Sequence, residues 1–144
     1  MVKSIRIMCM LCVMHSIASA IIQADPVPGS IRLLPGYNNR TTQGIDSLTG
    51  MIWKKDGVKI HYDIGEMAGD YTDCATCGWT KGEVWRQKQI VSGQEVVLIF
   101  TTKRKLIISF PSVHANFYAT VANNKELTDM ILMVLTYQPP PKTS

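Results

Sequence analysis

The sequence predicts an α+β domain: a mostly antiparallel, hairpin-linked sheet of about six strands, with one C-terminal helix packed on a face. Three observations carry this. Residues 58–64 alternate, with Val58, Ile60, Tyr62 and Ile64 on one face and Lys59, His61 and Asp63 on the other. Val96-Val97-Leu98-Ile99-Phe100 is apolar on both faces, as in a central strand covered from two sides. Towards the C-terminus Leu127, Met130, Ile131 and Val134, with Leu135 beside them, recur at helical spacing. Asn123 and Glu126 precede that stripe at the spacing of an N-cap and its capping glutamate.

The chain of 144 residues carries a net charge of +4 and four cysteines, but its start distorts both figures. Residues 1–20 read as a signal peptide: basic Lys3 and Arg6, an apolar run over 7–13, then the small residues Ala18-Ser19-Ala20. Cleavage is expected after Ala20, with Ala24 as the alternative. The competing reading is a retained anchor, although the apolar stretch 5–22 barely spans a bilayer and is interrupted by Arg6, His15 and two serines. Cleavage leaves 124 residues; Lys3 and Arg6 depart, all 11 acids remain, and the net charge falls to +2. So small a charge argues against a nucleic-acid partner. No membrane span is expected after cleavage, and the expected location is extracytoplasmic, periplasmic or secreted.

Residues 21–45 mix Pro, Gly, Asn and Thr without period and read as an extended lead-in, with 31–34 pinned on the body. Asn39-Arg40-Thr41 is a glycosylation sequon, meaningful only on a eukaryotic secretory route and otherwise a chance tripeptide. A single domain is expected over 46–137. Its first strand, 49–54, leads into Lys55-Asp56-Gly57, where Asp-Gly suits the positive φ angles of a tight hairpin. The strand 58–64 follows, and 65–81 then lacks any period. Strand character resumes over 83–91, turns at Ser92-Gly93, and continues through 95–101. Lys103-Arg104-Lys105 reads as a solvated hairpin tip that blunts edge pairing, with contact to a phosphate or an anionic surface as the other reading. Residues 106–110 point Leu106, Ile108 and Phe110 one way, and Pro111 ends that strand. In 115–121, Ala115, Phe117, Ala119 and Val121 face inward while Asn116, Tyr118 and Thr120 face outward. After the helix, Pro139-Pro140-Pro141 opens a proline-rich tail, 138–144.

Cys74-Ala75-Thr76-Cys77 is the motif with the most chemistry to weigh: a disulfide, a redox pair, or half of a thiolate metal site. A redox pair wants its first cysteine at a helix N-terminus, but Gly78 and Trp79 follow and a strand begins near Glu83. A metal site needs two more ligands, and the histidines on offer, His61 and His114, fall on polar strand faces. The expected state is a disulfide between Cys74 and Cys77, favoured by an oxidising compartment. So small a ring acts locally, holding Tyr71 and Trp79 in place. Those aromatics and the acids Glu66, Asp70 and Asp73 form a recognition surface, or else Trp79 packs beneath the loop as a satellite of the core. The acids do not follow the spacing of an EF-hand loop. Gly-x-Ser-x-Gly, His-Glu-x-x-His and phosphate-cradling glycine loops are missing from the sequence. No catalytic residue, metal or cofactor is assigned. His61 and Asp63 share a strand face, either as an acid–base pair with a distant Ser or Tyr or as ordinary surface.

The stretches Gly44-Ile45-Asp46-Ser47, Gly50-Met51-Ile52, Tyr62-Asp63-Ile64-Gly65 and Ala68-Gly69 carry a resemblance. Cys74-Ala75-Thr76-Cys77-Gly78-Trp79 and His114-Ala115-Asn116-Phe117-Tyr118-Ala119 extend it over about residues 35 to 137. On these residues the chain resembles small uncharacterised secreted proteins of environmental bacteria. The resemblance implies a bacterial origin, hence no glycosylation at Asn39, and no activity, cofactor or catalytic residue.

The functional expectation is a non-enzymatic binding or envelope-associated protein. Its contact surface is the sheet face of His61, Asp63 and Tyr118, or the clamped loop with Tyr71 and Trp79. Its partner is a protein, an envelope component or a small ligand. The alternative is a thiol-disulfide or metal-dependent activity at Cys74 and Cys77.

Overall fold

Alternating strands joined by short turns pair with their neighbours in sequence, so an unpatterned stretch between two such runs decides where the second run attaches. Here that stretch is long. The computed structural model describes residues 29–73 and 78–141. Among these residues, seven strands form one antiparallel sheet: β1 (Asn38–Gln43), β2 (Leu48–Trp53), β3 (Ile60–Ile64), β4 (Glu83–Val91), β5 (Gln94–Thr101), β6 (Lys105–Phe110) and β7 (Ala115–Thr120). The spatial order is β1-β2-β3-β7-β6-β5-β4. The sheet is thus two meanders, β1–β3 and β4–β7, joined where β3 pairs with β7. After β3 the chain crosses one face of the sheet to start β4 at the far edge. The helix α1 (Asn124–Val134) follows β7 and lies on the other face.

The α+β class with a C-terminal helix is as expected, but the strand count is seven rather than six. The added strand is β1, Asn-Asn-Arg-Thr-Thr-Gln, inside the stretch read as a lead-in. Its composition carries little strand signal; pairing with β2 and the burial of Asn39 at 4% exposure hold it in the sheet. The tight Asp-Gly hairpin is also corrected. Neither Asp56 nor Gly57 has a positive φ, and six residues separate β2 from β3. Gly57 is needed for closeness instead, since a Cβ there would run into the Lys54 side chain and the Tyr37 hydroxyl. Ser92 and Gly93, at φ 51° and 80°, do make the expected two-residue turn.

The helix face holds the main core. Ile60, Tyr62, Leu98, Ile108 and Phe117 lie beneath Met130, Met133 and Val134 of α1. Asn123 caps the helix by accepting from the Glu126 N–H at 2.9 Å, while the Glu126 carboxylate accepts from the Ala122 N–H at 2.7 Å. Ile31, Leu33 and Leu34 pack on this core as expected. Ser30 and Gln138 exchange backbone hydrogen bonds of 2.8 and 2.9 Å, tying the lead-in to the segment after α1. Among the described residues, no helix is long and apolar enough to cross a membrane.

Candidate functional site

The site is built on the sheet face away from α1. Strand alternation puts His61 and Asp63 of β3, Asn116 and Tyr118 of β7, and Ile107 and Ser109 of β6 on this face. The register aligns them in two rows. His61, Tyr118, Ile107 and Ile99 lie side by side across four strands; Asp63, Asn116, Ser109 and Val97 form the next row. The first row is aromatic and apolar, the second mostly polar.

Asn116 and Ser109 are fully buried, so their polar atoms need partners inside the protein. The crossing segment supplies them. Asn116 donates from Nδ2 to the Gly69 carbonyl at 3.1 Å, and its Oδ1 accepts from the Tyr71 N–H at 3.2 Å. The Ser109 hydroxyl lies 2.8 Å from Asn116 Oδ1 and 3.1 Å from Asp70 Oδ1. Asp70 Oδ1 also accepts from the Thr72 N–H at 2.8 Å and hydroxyl at 2.6 Å, which folds the chain into a turn. Arg86 of β4 donates to the Thr72 carbonyl at 3.1 Å and pairs with Glu83 at 2.9 Å. The Tyr71 hydroxyl donates to Asp63 Oδ2 at 2.7 Å. Burial, and then the Asp63 carboxylate, pushes the Tyr71 phenol well above its usual range. The same two causes raise Tyr118, so both stay protonated donors. Asp63 Oδ1 is buried and has no hydrogen-bond partner among the described residues.

An aromatic lattice stands on this network. Tyr71 stacks on Trp79 at 4.4 Å between ring centres, Trp79 meets Tyr118 at 4.7 Å and 60°, and Tyr118 stacks on His61 at 5.5 Å. Val97, Ile99 and Ile107 form the floor beneath Tyr71, Trp79 and Tyr118. Lys105 sits with its Nζ 4.8 Å from the centre of the Trp79 ring. The crossing segment covers the β7–β5 side of the face and leaves the β1–β3 side open: Arg40, Thr42 and His61 are exposed there, and Thr49 and Met51 half-buried. Two hollows flank the His61–Tyr118 pair. One, of about 320 Å³, reaches Arg40, Thr49 and Met51; the other, of about 300 Å³, reaches Lys59, Trp79 and Lys105.

His61, Asp63, Tyr71, Trp79 and Tyr118 are therefore brought together, sheet face and loop in one surface. No hydrogen bond joins Asp63 to His61 among the described residues; Asp63 instead accepts from the Tyr71 hydroxyl. Trp79 is both a satellite of the core and a wall of a hollow. His114 does not join His61. It lies outside the strands at a left-handed φ of 48°, past the Ile64 end of β3. Glu66 belongs to a 3-10 turn bordering a separate groove, and Asp70 points inward as a clamp. Cys74 and Cys77 lie outside the described residues. Among the described residues, no cluster of three or more His, Cys, Asp or Glu is placed to hold a metal.

Sequence reasoning missed four contributors. Asn116 was expected to face outward, but the face it occupies is roofed. Lys105 was placed at a hairpin tip; it is the first residue of β6 and is half-buried against Trp79. Arg40 stands in β1, where the Asn-Arg-Thr tripeptide carries little strand signal. Lys59 carried a usable signal, since it shares the His61 face in the alternation. No family model matches the chain, and no curated protein and no solved structure matches it either.

Proposed function

We propose that this is an exported, non-enzymatic binding domain whose contact face is the open shelf around His61 and Tyr118, continuous with the Trp79 wall. The observation that carries the reading is the lattice His61–Tyr118–Trp79–Tyr71, anchored from below by the buried Asn116 and Asp63 network. Side chains fixed this way lose little freedom when a partner arrives, which is the physical condition for a good contact surface. The polar groups beneath are spent on holding the crossing segment, which suits recognition better than proton transfer. The signal-like sequence of residues 1–20 supports export, and the partner of this reading is a protein, an envelope component or a small ligand met outside the cytoplasm.

Site-directed photo-crosslinking in the exporting cell tests this. A photoreactive residue replacing His61 should capture a defined partner, and the same residue replacing exposed Leu132 on α1 should not. Equal labelling at both positions would refute the contact face. Tyr118→Ala should abolish the His61 capture while leaving the circular dichroism spectrum unchanged; unfolding of that variant would make Tyr118 a core residue instead.

A further inference from the structure

We propose that the hollow between β3, β7 and β6 binds a small organic anion: a carboxylate or phosphate monoester carried on a planar apolar body. This names the ligand of the contact face and rests on that reading. The register puts Lys105 of β6 opposite Thr120 of β7, and Lys59 immediately precedes β3 on the far side of the same strand. Lys59, His61, Trp79, Lys105, Tyr118 and Thr120 line the hollow, and no carboxylate does among the described residues. Two lysines thus border one hollow with no acid among its described lining residues, and neither lysine forms an ion pair among the described residues. The neighbouring hollow carries one cation, Arg40, and no acid among its described lining residues. Like charges around a concave, partly apolar site repel each other and raise the local concentration of anions. An oxyanion between Lys59 and Lys105 relieves that repulsion with charge-assisted hydrogen bonds.

Lys105 is already placed for the task. Its contact with the Trp79 ring holds the ammonium at the cavity wall, so less side-chain freedom is lost when an anion binds. Trp79 and Tyr118 make the apolar part of the lining and favour a flat body behind the charged head. A volume of about 300 Å³ fits a small molecule and not a polymer segment with its own side groups. The modest charge outside residues 1–20 also speaks against a nucleic acid, which recruits longer basic tracts.

The test is titration of the full chain, isotope-labelled, with phenyl phosphate and with benzoate, followed by amide chemical shifts. Benzyl alcohol is the neutral control and inorganic phosphate the bare head group. Saturable shifts at Lys105, Tyr118 and Thr120 are expected with either anion at roughly millimolar concentration or below. Affinity should fall about tenfold in Lys59→Gln and again in Lys105→Gln, and should weaken with added salt. Both lysines reach solvent, and a thermal melt of each variant confirms its fold. Equal binding of benzyl alcohol would overturn the anion requirement. Inorganic phosphate binding as tightly as phenyl phosphate would overturn the apolar body. Capture at position 61 with neither anion bound would overturn this ligand class and leave the contact face standing. Absence of both would remove the two readings together.

Discussion

Asp129 shows how one charge is kept inside an apolar joint. It lies on α1 with 8% of its surface exposed, facing the start of β1 and the end of β2. Its Oδ2 accepts from Lys125 at 2.7 Å and from the Tyr37 hydroxyl at 3.1 Å, with Lys54 at 3.8 Å. The Lys125 hydrogen bond, then Tyr37 and Lys54, hold the carboxyl below its ordinary value of 3.8, although burial pulls the other way. Between the folded and ordinary values the unfolded chain binds more protons, so stability from Asp129 is complete above 3.8 and is lost as pH falls through the folded value. Asp129→Asn should cost roughly 1–3 kcal/mol at neutral pH and flatten the acid limb of stability against pH. Urea midpoints measured from pH 2 to 7 check both. Helical spacing puts Lys125 one turn before Asp129, but the reason for burying the carboxylate is illegible in the sequence, because Tyr37 and Lys54 come from far away in the chain.

The crossing segment is the element that makes the site. Its described residues carry a single 3-10 turn, Glu66–Ala68, so their position depends on side chains reaching up from the sheet. Asn116 is the central one, bonded to the backbone of Gly69 and Tyr71 at once. Asn116→Ala removes the partners of the Gly69 carbonyl and the Tyr71 N–H, both only partly buried, and should cost roughly 1–3 kcal/mol. Denaturant melts measure the loss, and near-ultraviolet dichroism should report loosening of Trp79 and Tyr118. A loss under about 1 kcal/mol, with the aromatic signal intact, would mean that the segment is held by apolar packing alone. Alternation correctly put Asn116 on the face of His61 and Tyr118, but alternation says nothing about what lies over a face. For the same reason β3, β5, β7 and α1 were legible from local periodicity. The polar β1 was not, because its strand state is imposed by β2.

At the scale of the whole molecule, the two meanders form from short-range hairpins, while the β3–β7 ladder joins residues as distant as Tyr62 and Phe117. Loop closure makes such pairings slow to form. Phe117→Leu on this ladder should therefore slow refolding more than it speeds unfolding. Leu98→Ala within the β4–β7 meander, whose contacts form before that ladder closes, should likewise act mainly on the folding rate. Stopped-flow chevrons measure both, and a Phe117→Leu effect confined to unfolding, with Leu98→Ala still slowing folding, would show that the ladder closes after the rate-limiting step. The strand order itself was illegible, since nothing in the unpatterned stretch states which edge the chain will reach.

That late joint has a consequence for binding. Lys59 and His61 belong to one meander, Lys105, Tyr118 and Thr120 to the other, and the hollow they line straddles the line between them. A chain with both meanders formed but not yet zipped has no such hollow. Any molecule lodged there acts as a rivet across the last joint to close, adding its binding free energy to the one contact that local structure does not secure.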